Sequence, residues 1–113
     1  MSIPLPFQSG AWVVLVLQNP RERFWGQLLG LEATGIALRG LDLKPWEEVI
    51  RMVMAGEWDQ LSLGTRFFPL HRVEQLYLDE PSSGASSLVE EFRRRTGSDP
   101  ACLMTTEGTG GAP

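Results

Sequence analysis

The side chains best able to act as a nucleophile or a base in this chain are His71 and Cys102. Each is the single residue of its type among 113. A nucleophile needs a base within hydrogen-bonding reach, and a zinc site needs at least three protein ligands. One histidine and one cysteine, far apart in the sequence, meet neither requirement. We therefore expect a protein that is not an enzyme, with no metal site and no cofactor.

The remaining charged groups occur as short runs. Acidic pairs stand at Glu47–Glu48, Glu57–Asp59 and Asp79–Glu80. Acid–base catalysis uses carboxylates whose surroundings push their pKa values apart, whereas neighbouring acidic residues on a helix or a loop are usually solvated. Arg93–Arg95 form a basic run. It either complements the negative end of a helix dipole or contacts an acidic partner.

The overall charge limits the classes of partner. The net charge is −4 and the pI is near 4.9, whereas non-specific nucleic-acid binding depends on Lys and Arg neutralising phosphates. We expect no DNA partner, and RNA only as weak, salt-sensitive binding. The longest apolar run, 11–17, is too short to cross a membrane. No apolar signal segment follows a basic start, so we expect a soluble, cytoplasmic protein.

Most of the chain has the pattern of short strands. Apolar, β-branched and aromatic runs are separated by turn residues such as Asn19-Pro20 and Ala33-Thr34-Gly35. In the second run, Gly26, Leu28 and Gly30 fall on one face by the period of two, which would let that strand coil tightly. Gly40 is predicted as a bulge or corner. The five predicted strands are 11–18, 24–32, 36–43, 65–70 and 73–79.

Two segments have the period of a helix. Between the third and fourth strands, apolar residues recur at helical spacing from Trp46 to Met54, which predicts an inserted helix over 45–55. Ser87 and Glu90 predict a capping box for a C-terminal helix over 88–96, ended by Gly97. Trp25, Trp46 and Trp58 could each fill the core or anchor an interface. We divide the chain into an arm (1–10), a barrel (11–80) with a helical insertion at about 44–64, a linker and C-terminal helix (81–104) and a disordered tail (105–113).

These strands resemble the Sm-like (LSm and Hfq-like) family of small β-barrels. The resemblance is carried by the glycine Gly26, an acidic position at Glu32, a third strand at Ile36-Ala37-Leu38, and a second motif over 68–73. It covers residues 11–43 and 65–79. It implies a mainly β fold: a five-stranded antiparallel Sm-like barrel, here with an inserted α-helix and a C-terminal α-helix. The family's base-binding asparagine is absent, because Glu32-Ala33-Thr34-Gly35 stands at that loop.

The resemblance also implies an assembly and a site. In Sm-like folds the strands on either side of the short last turn pair between neighbouring subunits, which predicts a homo-oligomeric ring of five to seven copies. The interface residues would be Phe67, Phe68, Val73 and Leu76. Any RNA or other ligand would contact Phe68, His71 and Arg72, by stacking and by phosphate contact.

Three functions remain open from the sequence. We favour a non-enzymatic, homo-oligomeric binding or scaffolding protein of unknown ligand. The first alternative is an RNA-binding Sm-like protein, and the second is a barrel that senses a small ligand such as a nucleotide. Gly35 matches the last glycine of the nucleotide-binding motif of PilZ barrels, but Gly30 and Glu32 occupy that motif's Asp and Ser positions.

Overall fold

The computed structural model describes residues 6–43 and 45–104, so the predicted tail and the first five residues of the predicted arm lie outside the described residues. The chain forms a mainly β fold with two α-helices, as predicted from the sequence. The strands and helices follow the order β1 Trp12–Leu17, β2 Glu22–Glu32, β3 Gly35–Asp42, α1 Trp46–Met54, β4 Gly64–Pro69, β5 Val73–Leu78 and α2 Leu88–Thr96. Three 3₁₀ turns cover Trp58–Gln60, Leu70–Arg72 and Pro100–Met104.

The five strands form one antiparallel sheet in the order β4-β3-β2-β1-β5. The prediction of a barrel needs correction, because β4 and β5 are the two edges of the sheet and do not pair with each other. The sheet is therefore open. Hairpins join β1 to β2 and β2 to β3, whereas α1 separates β3 from β4, so the predicted insertion of a helix between the third and fourth strands is confirmed.

The short link between the two edge strands forces the sheet to curl. Pro69 lies opposite Gly35, at the β2–β3 hairpin, whereas Val73 lies opposite Leu17, at the β1–β2 turn. In a flat sheet these sites would be four strand spacings apart, about 19 Å, and at opposite ends of β2. Yet only the three residues Leu70–Arg72 join them, and four residue steps reach at most about 14 Å. The sheet must bend strongly to satisfy this link.

A β-bulge in β2 contributes to the bend. The pairing with β3 shifts between Leu28 and Gly30, so Leu29 is the extra residue, and bulges bend a strand and increase its twist. The prediction that Gly26, Leu28 and Gly30 share one face of the strand is therefore wrong for Gly30. Beyond the bulge the alternation reverses, and Leu31 packs against the same apolar cluster as Leu28. Of the two predictions for Gly40, a bulge or a corner, the bulge is wrong, because Gly40 pairs in register with Gly26 and Gly64. A second bulge lies in β5, where the pairing with β1 shifts at Glu74.

Gly26 of β2 and Gly40 of β3 lie directly opposite each other in the sheet. A Cβ atom added to Gly26 would lie 2.5 Å from the Cα atom of Gly40 and still closer to the Arg39 carbonyl oxygen. A Cβ atom added to Gly40 would in turn clash with the Trp25 carbonyl oxygen. Both positions therefore require glycine for backbone contact. The close approach expected from glycine in the second strand occurs here.

The two faces of the sheet bury different clusters. The inner face, on the concave side of the curl, carries Val13, Leu15 and Leu17 of β1 and a cluster drawn from all five strands. The outer face carries Val14, Val16 and the fully buried Trp25, over which α1 and α2 pack with Phe92. Strand β1 is buried on both faces, which explains its continuous run of apolar residues.

Asp79, directly after β5, fastens α2 to this outer face. Its carboxylate accepts hydrogen bonds from the backbone N–H groups of Leu88 (2.7 Å) and Val89 (2.9 Å), and from Nε1 of Trp25 (3.0 Å). The predicted capping box is confirmed, because Ser87 Oγ accepts from the Glu90 N–H and Glu90 Oε1 accepts from the Ser87 N–H. Free N–H groups at a helix start need such acceptors.

Replacing Gly26 with alanine should lower the free energy of unfolding by about 1–3 kcal/mol, because the new methyl group must push two backbones apart. Urea denaturation followed by tryptophan fluorescence measures this loss. Gly30→Ala is the matched control in the same strand, since no atom lies within 4 Å of its added Cβ. Equal losses at both positions would contradict the assigned close approach of β2 and β3.

Candidate functional site

The predicted site residues all lie in one continuous segment, β4, the Leu70–Arg72 turn and β5. The segment contains both open edges of the sheet and the corner that joins them. The structure thus groups the predicted interface and ligand residues in one region, which we call the edge corner (residues 64–78). The side chains there differ greatly in how much of their surface is free.

The two adjacent phenylalanines of β4 point to opposite faces of the sheet. Phe68 is 8% exposed and packs on Phe24 with ring centroids 5.0 Å apart, inside the inner cluster. A base could stack on Phe68 only if this ring left the core. Phe67 points to the outer face, where 52% of its surface is exposed, and its ring lies against Gly35. Of this pair, Phe67 is the free aromatic surface.

Arg72 is bound within its own chain. Its Nε donates to the Gln18 carbonyl oxygen (2.8 Å), and its Nη2 donates to the Pro20 carbonyl oxygen and to Glu22 Oε1, both at 3.1 Å. The guanidinium thereby ties the β4–β5 corner to the β1–β2 turn. A phosphate would have to compete with these acceptors. The neighbouring His71 is exposed, and its carbonyl oxygen accepts a hydrogen bond from Gln18 Nε2.

Val73 and Leu76, predicted at the interface, lie on the opposite edge strand. Both are half-buried and pack against the inner cluster, together with Leu78. Their apolar surface is only partly covered by the chain itself, because β5 has no strand beyond it. The edge strand β5 therefore offers leucine surface on its inner face, whereas β4 offers Phe67 on its outer face.

The hydrogen bonds at the strand ends show which backbone groups of the edges point outward. The Leu70 N–H donates to the Thr34 carbonyl oxygen, and the Asp79 N–H donates to the Trp12 carbonyl oxygen. Antiparallel ladders alternate between inward and outward groups. Hence Thr65 and Phe67 direct their N–H and C=O groups away from β3, and Leu76 and Leu78 direct theirs away from β1. No strand of residues 6–43 and 45–104 pairs with these groups.

Sequence reasoning missed two exposed residues at this site. Leu70 is exposed in the turn, and Tyr77 of β5 is partly exposed on the outer face. The predicted fourth strand, 65–70, includes Leu70, whereas the observed β4 ends at Pro69. Tyr77 could have been found from its alternation with Leu76 and Leu78, since it is the position that turns away from the inner cluster.

A cleft lies beside the edge corner on the outer face. It encloses about 290 Å³ between β5, α1 and the start of α2, and its lining includes Arg23, Trp46, Tyr77 and Asp79. The Nε1 atom of Trp46 is buried and has no hydrogen-bond partner among residues 6–43 and 45–104. A second cleft of about 430 Å³ next to it shares Arg23 and Leu43 and adds Arg21, Glu22 and Asp42. The walls carry both signs of charge, which suits a small polar molecule.

Two of the three arginines in the basic run of α2, Arg93 and Arg95, pair with carboxylates of the same chain. Arg95 donates to Glu47 of α1 and to Glu91, Arg93 pairs with Asp99 at 3.1 Å, and Arg94 Nη1 reaches Ser86 Oγ at 3.5 Å. The hydrogen bond from Arg95 lowers the pKa of the Glu47 carboxyl group. These pairs join the two helices across the outer face. Of this run, Arg94 alone has no ion pair among the residues that the structure describes, and it is the arginine left for the acidic partner that the sequence left open.

Comparisons with known proteins assign no relative to this chain. No family model, no curated protein and no solved structure matches it. Among the residues that the structure describes, no three His, Cys, Asp or Glu side chains group closely enough to hold a metal ion. None of the helices in this described part is long and apolar enough to span a membrane.

Replacing Arg72 with alanine should lower the free energy of unfolding by about 1–3 kcal/mol, because it removes hydrogen bonds from a charged group that holds two turns together. Thermal and urea unfolding measure the change. Arg94→Ala is the matched control, and we expect it to stay within about 0.5 kcal/mol of the native protein. An Arg72 variant as stable as the Arg94 variant would contradict the assigned role.

The Cys102 thiol should react slowly with iodoacetamide at neutral pH. Burial raises its pKa, and the nearby Asp99 carboxylate adds to the effect. Only the thiolate attacks iodoacetamide. Because the pKa is raised, less thiolate is present at pH 7 than for a free cysteine, whose pKa is about 8.5. Mass spectrometry over a pH series, with glutathione as the control, should give a midpoint above that of glutathione. A lower midpoint would show an activated thiol.

Proposed function

We propose that this protein is a non-enzymatic, homo-oligomeric Sm-like protein that binds or scaffolds a partner, and that its copies join through the edge strands β4 and β5. The two open edges carry this proposal. In Sm-like folds, the strands on either side of the short last turn are the ones that pair between subunits. Here β4 and β5 flank the Leu70–Arg72 turn and are the edges of the sheet.

The exposed surface of the edges supports this assembly. Unpaired N–H and C=O groups on an edge strand favour pairing with another chain, and proteins usually blunt such edges with charges or prolines. Strand β4 carries Arg66 and Pro69 but also presents the exposed Phe67. Strand β5 carries Glu74 but also presents Tyr77 with the half-buried Leu76 and Leu78. Pairing of two different edges is heterologous, and it closes into a ring when the rotation permits. Five to seven copies is the number that the family resemblance implies.

A non-enzymatic role is supported by the chemistry of the chain. Its one histidine is exposed in a turn, and burial raises the pKa of its one cysteine, which is the reverse of nucleophile activation. An RNA-binding role would rest mainly on His71. Phe68 is packed in the core and Arg72 is bound to acceptors of its own chain, so the scaffold reading remains the one that we favour.

The cleft beside Trp46 favours a second candidate, a sensor of a small polar ligand. Its volume of about 290 Å³ is near the lower limit of small-molecule sites, which is about 300 Å³. The Trp46 indole N–H lacks an acceptor in the part of the chain that the structure describes, and a ligand oxygen would supply one if it displaced the neighbouring side chains. A nucleotide that copurifies with the protein would support the sensor over the scaffold.

The native protein at tens of micromolar should have the mass of a closed oligomer by light scattering and native mass spectrometry. Replacing Phe67 with aspartate should shift the mass to monomer, because a charge then lies against the paired edge. Met54→Asp is the matched control, since Met54 is also an exposed apolar residue but lies on α1, and its oligomer should persist. A native protein that is only monomeric would refute the proposal, and strong absorbance at 260 nm would favour a nucleic-acid or nucleotide ligand.

A further inference from the structure

The cleft beside Trp46 lies where the outer face of the sheet meets the first turns of both helices. Val14 of the central strand β1 contributes to its lining, with Arg23 of β2 on one side of that strand and Tyr77 of β5 on the other. Trp46 and Leu88, the first residues of α1 and α2, line it from the helix side. The cleft therefore joins three strands and two helices, and most of its lining is apolar or aromatic.

Most of the charged groups around this cleft and the second cleft next to it already have partners in the chain. Arg21 pairs with Glu74 at 2.9 Å, and Glu22 pairs with Arg72 at 3.1 Å. The Asp79 carboxylate accepts three hydrogen bonds from N–H groups of the sheet and of α2. These groups can bind a ligand only by giving up a contact within the protein.

Arg23 differs from these groups, and it lines both clefts. Within residues 6–43 and 45–104 its guanidinium makes no hydrogen bond and no ion pair, and Asp42 of the second cleft does not pair with it. In the same cleft, the Trp46 indole N–H has no acceptor in the described part of the chain. Both groups are donors, and a guanidinium fork matches the two oxygens of a carboxylate. The ligand should therefore bring a carboxylate.

The rest of the lining favours one negative charge on an aromatic body. Two carboxylates, Asp79 and Glu80, line the same cleft, and they repel a phosphate dianion more strongly than a monoanion. The rings of Trp46 and Tyr77 and three leucines offer an apolar surface, on which an aromatic ring packs well. The volume of about 290 Å³ is close to the lower limit for ligand pockets, so the ligand is small.

We propose that this cleft binds a small aryl carboxylate. Its carboxylate accepts hydrogen bonds from the Arg23 guanidinium and the Trp46 indole N–H, and its ring packs against Trp46 and Tyr77. The inference rests on the second candidate function, the small-ligand sensor, and it names the class of ligand. Because the indole nitrogen is buried, binding includes a displacement of the side chains that cover it. The ligand thereby connects β2 to the start of α1.

Titration of the full chain with phenylacetate tests the proposal, with phenylacetamide as the uncharged molecule of the same shape. Phenylacetate should bind in the millimolar range or tighter, and phenylacetamide should bind more weakly. Arg23→Gln should weaken phenylacetate binding by at least about tenfold, the factor for 1.4 kcal/mol, because it removes charged hydrogen bonds. Arg21→Gln is the matched control, since Arg21 lines only the second cleft and pairs with Glu74. Its affinity should stay within about twofold of the native value.

Nuclear magnetic resonance of the indole N–H groups gives a second measurement. The signal that is absent from the Trp46→Phe variant belongs to Trp46, and phenylacetate should shift it in the native protein. The same signal should stay in place when phenylacetate is added to Arg23→Gln at the same concentration. An indole signal that does not respond in the native protein would overturn the assigned contact with the carboxylate.

The outcomes separate this inference from both candidate functions. Phenylacetate binding that is lost in Arg23→Gln and kept in Arg21→Gln supports it. Equal binding of phenylacetamide, or tighter binding of adenosine monophosphate, overturns the aryl carboxylate and leaves a small-ligand cleft standing. If none of the three compounds binds, the inference and the sensor are both overturned. Oligomeric mass is measured separately, so none of these results decides whether copies join through β4 and β5.

Discussion

The three-residue link between β4 and β5 is the constraint on which the rest of this structure depends. It joins the two edges of a five-stranded sheet, so the sheet has to curl until opposite edges come within reach. The curl requires the glycine pair Gly26 and Gly40, where β2 and β3 nearly touch, and the bulge at Leu29. Arg72 then holds the link against the β1–β2 turn with hydrogen bonds to three acceptors.

The two faces of the curled sheet carry separate apolar clusters, and different parts of the chain cover them. The inner cluster is enclosed mainly by the sheet itself, whereas the outer cluster needs α1 and α2. Asp79 connects these layers, because one carboxylate accepts from the indole of the buried Trp25 and from the first turn of α2. The ion pair of Glu47 with Arg95 joins the two helices. The helices thus cover one end of the outer face and leave Phe67 uncovered.

Although the curl brings the two edges towards each other, β4 and β5 do not pair within the chain. An antiparallel sheet with an odd number of strands ends in edges whose outward-pointing residues have side chains on opposite faces, here Phe67 on one edge and Leu76 on the other. A copy of the chain placed at either edge presents the complementary set of backbone groups. This geometry supports our proposal that copies of the chain join through the edge strands β4 and β5.

The features that depend on local interactions could be read from the sequence alone. It predicted five strands, a helix inserted between the third and fourth, and the helix Leu88–Thr96 with its capping box, because hydrophobic period, turn residues and caps act within a few residues of the chain. The bulge at Leu29 could not be predicted from the sequence, because an extra residue could have been accommodated in either β2 or β3. The burial of Phe68 and the exposure of Phe67 could not be predicted either. Alternation places adjacent residues on opposite faces of a strand, but it does not show which face packs against the core. The acceptors of Arg72 lie 50 to 54 residues away, and no local pattern encodes a contact that exists only after the sheet has curled.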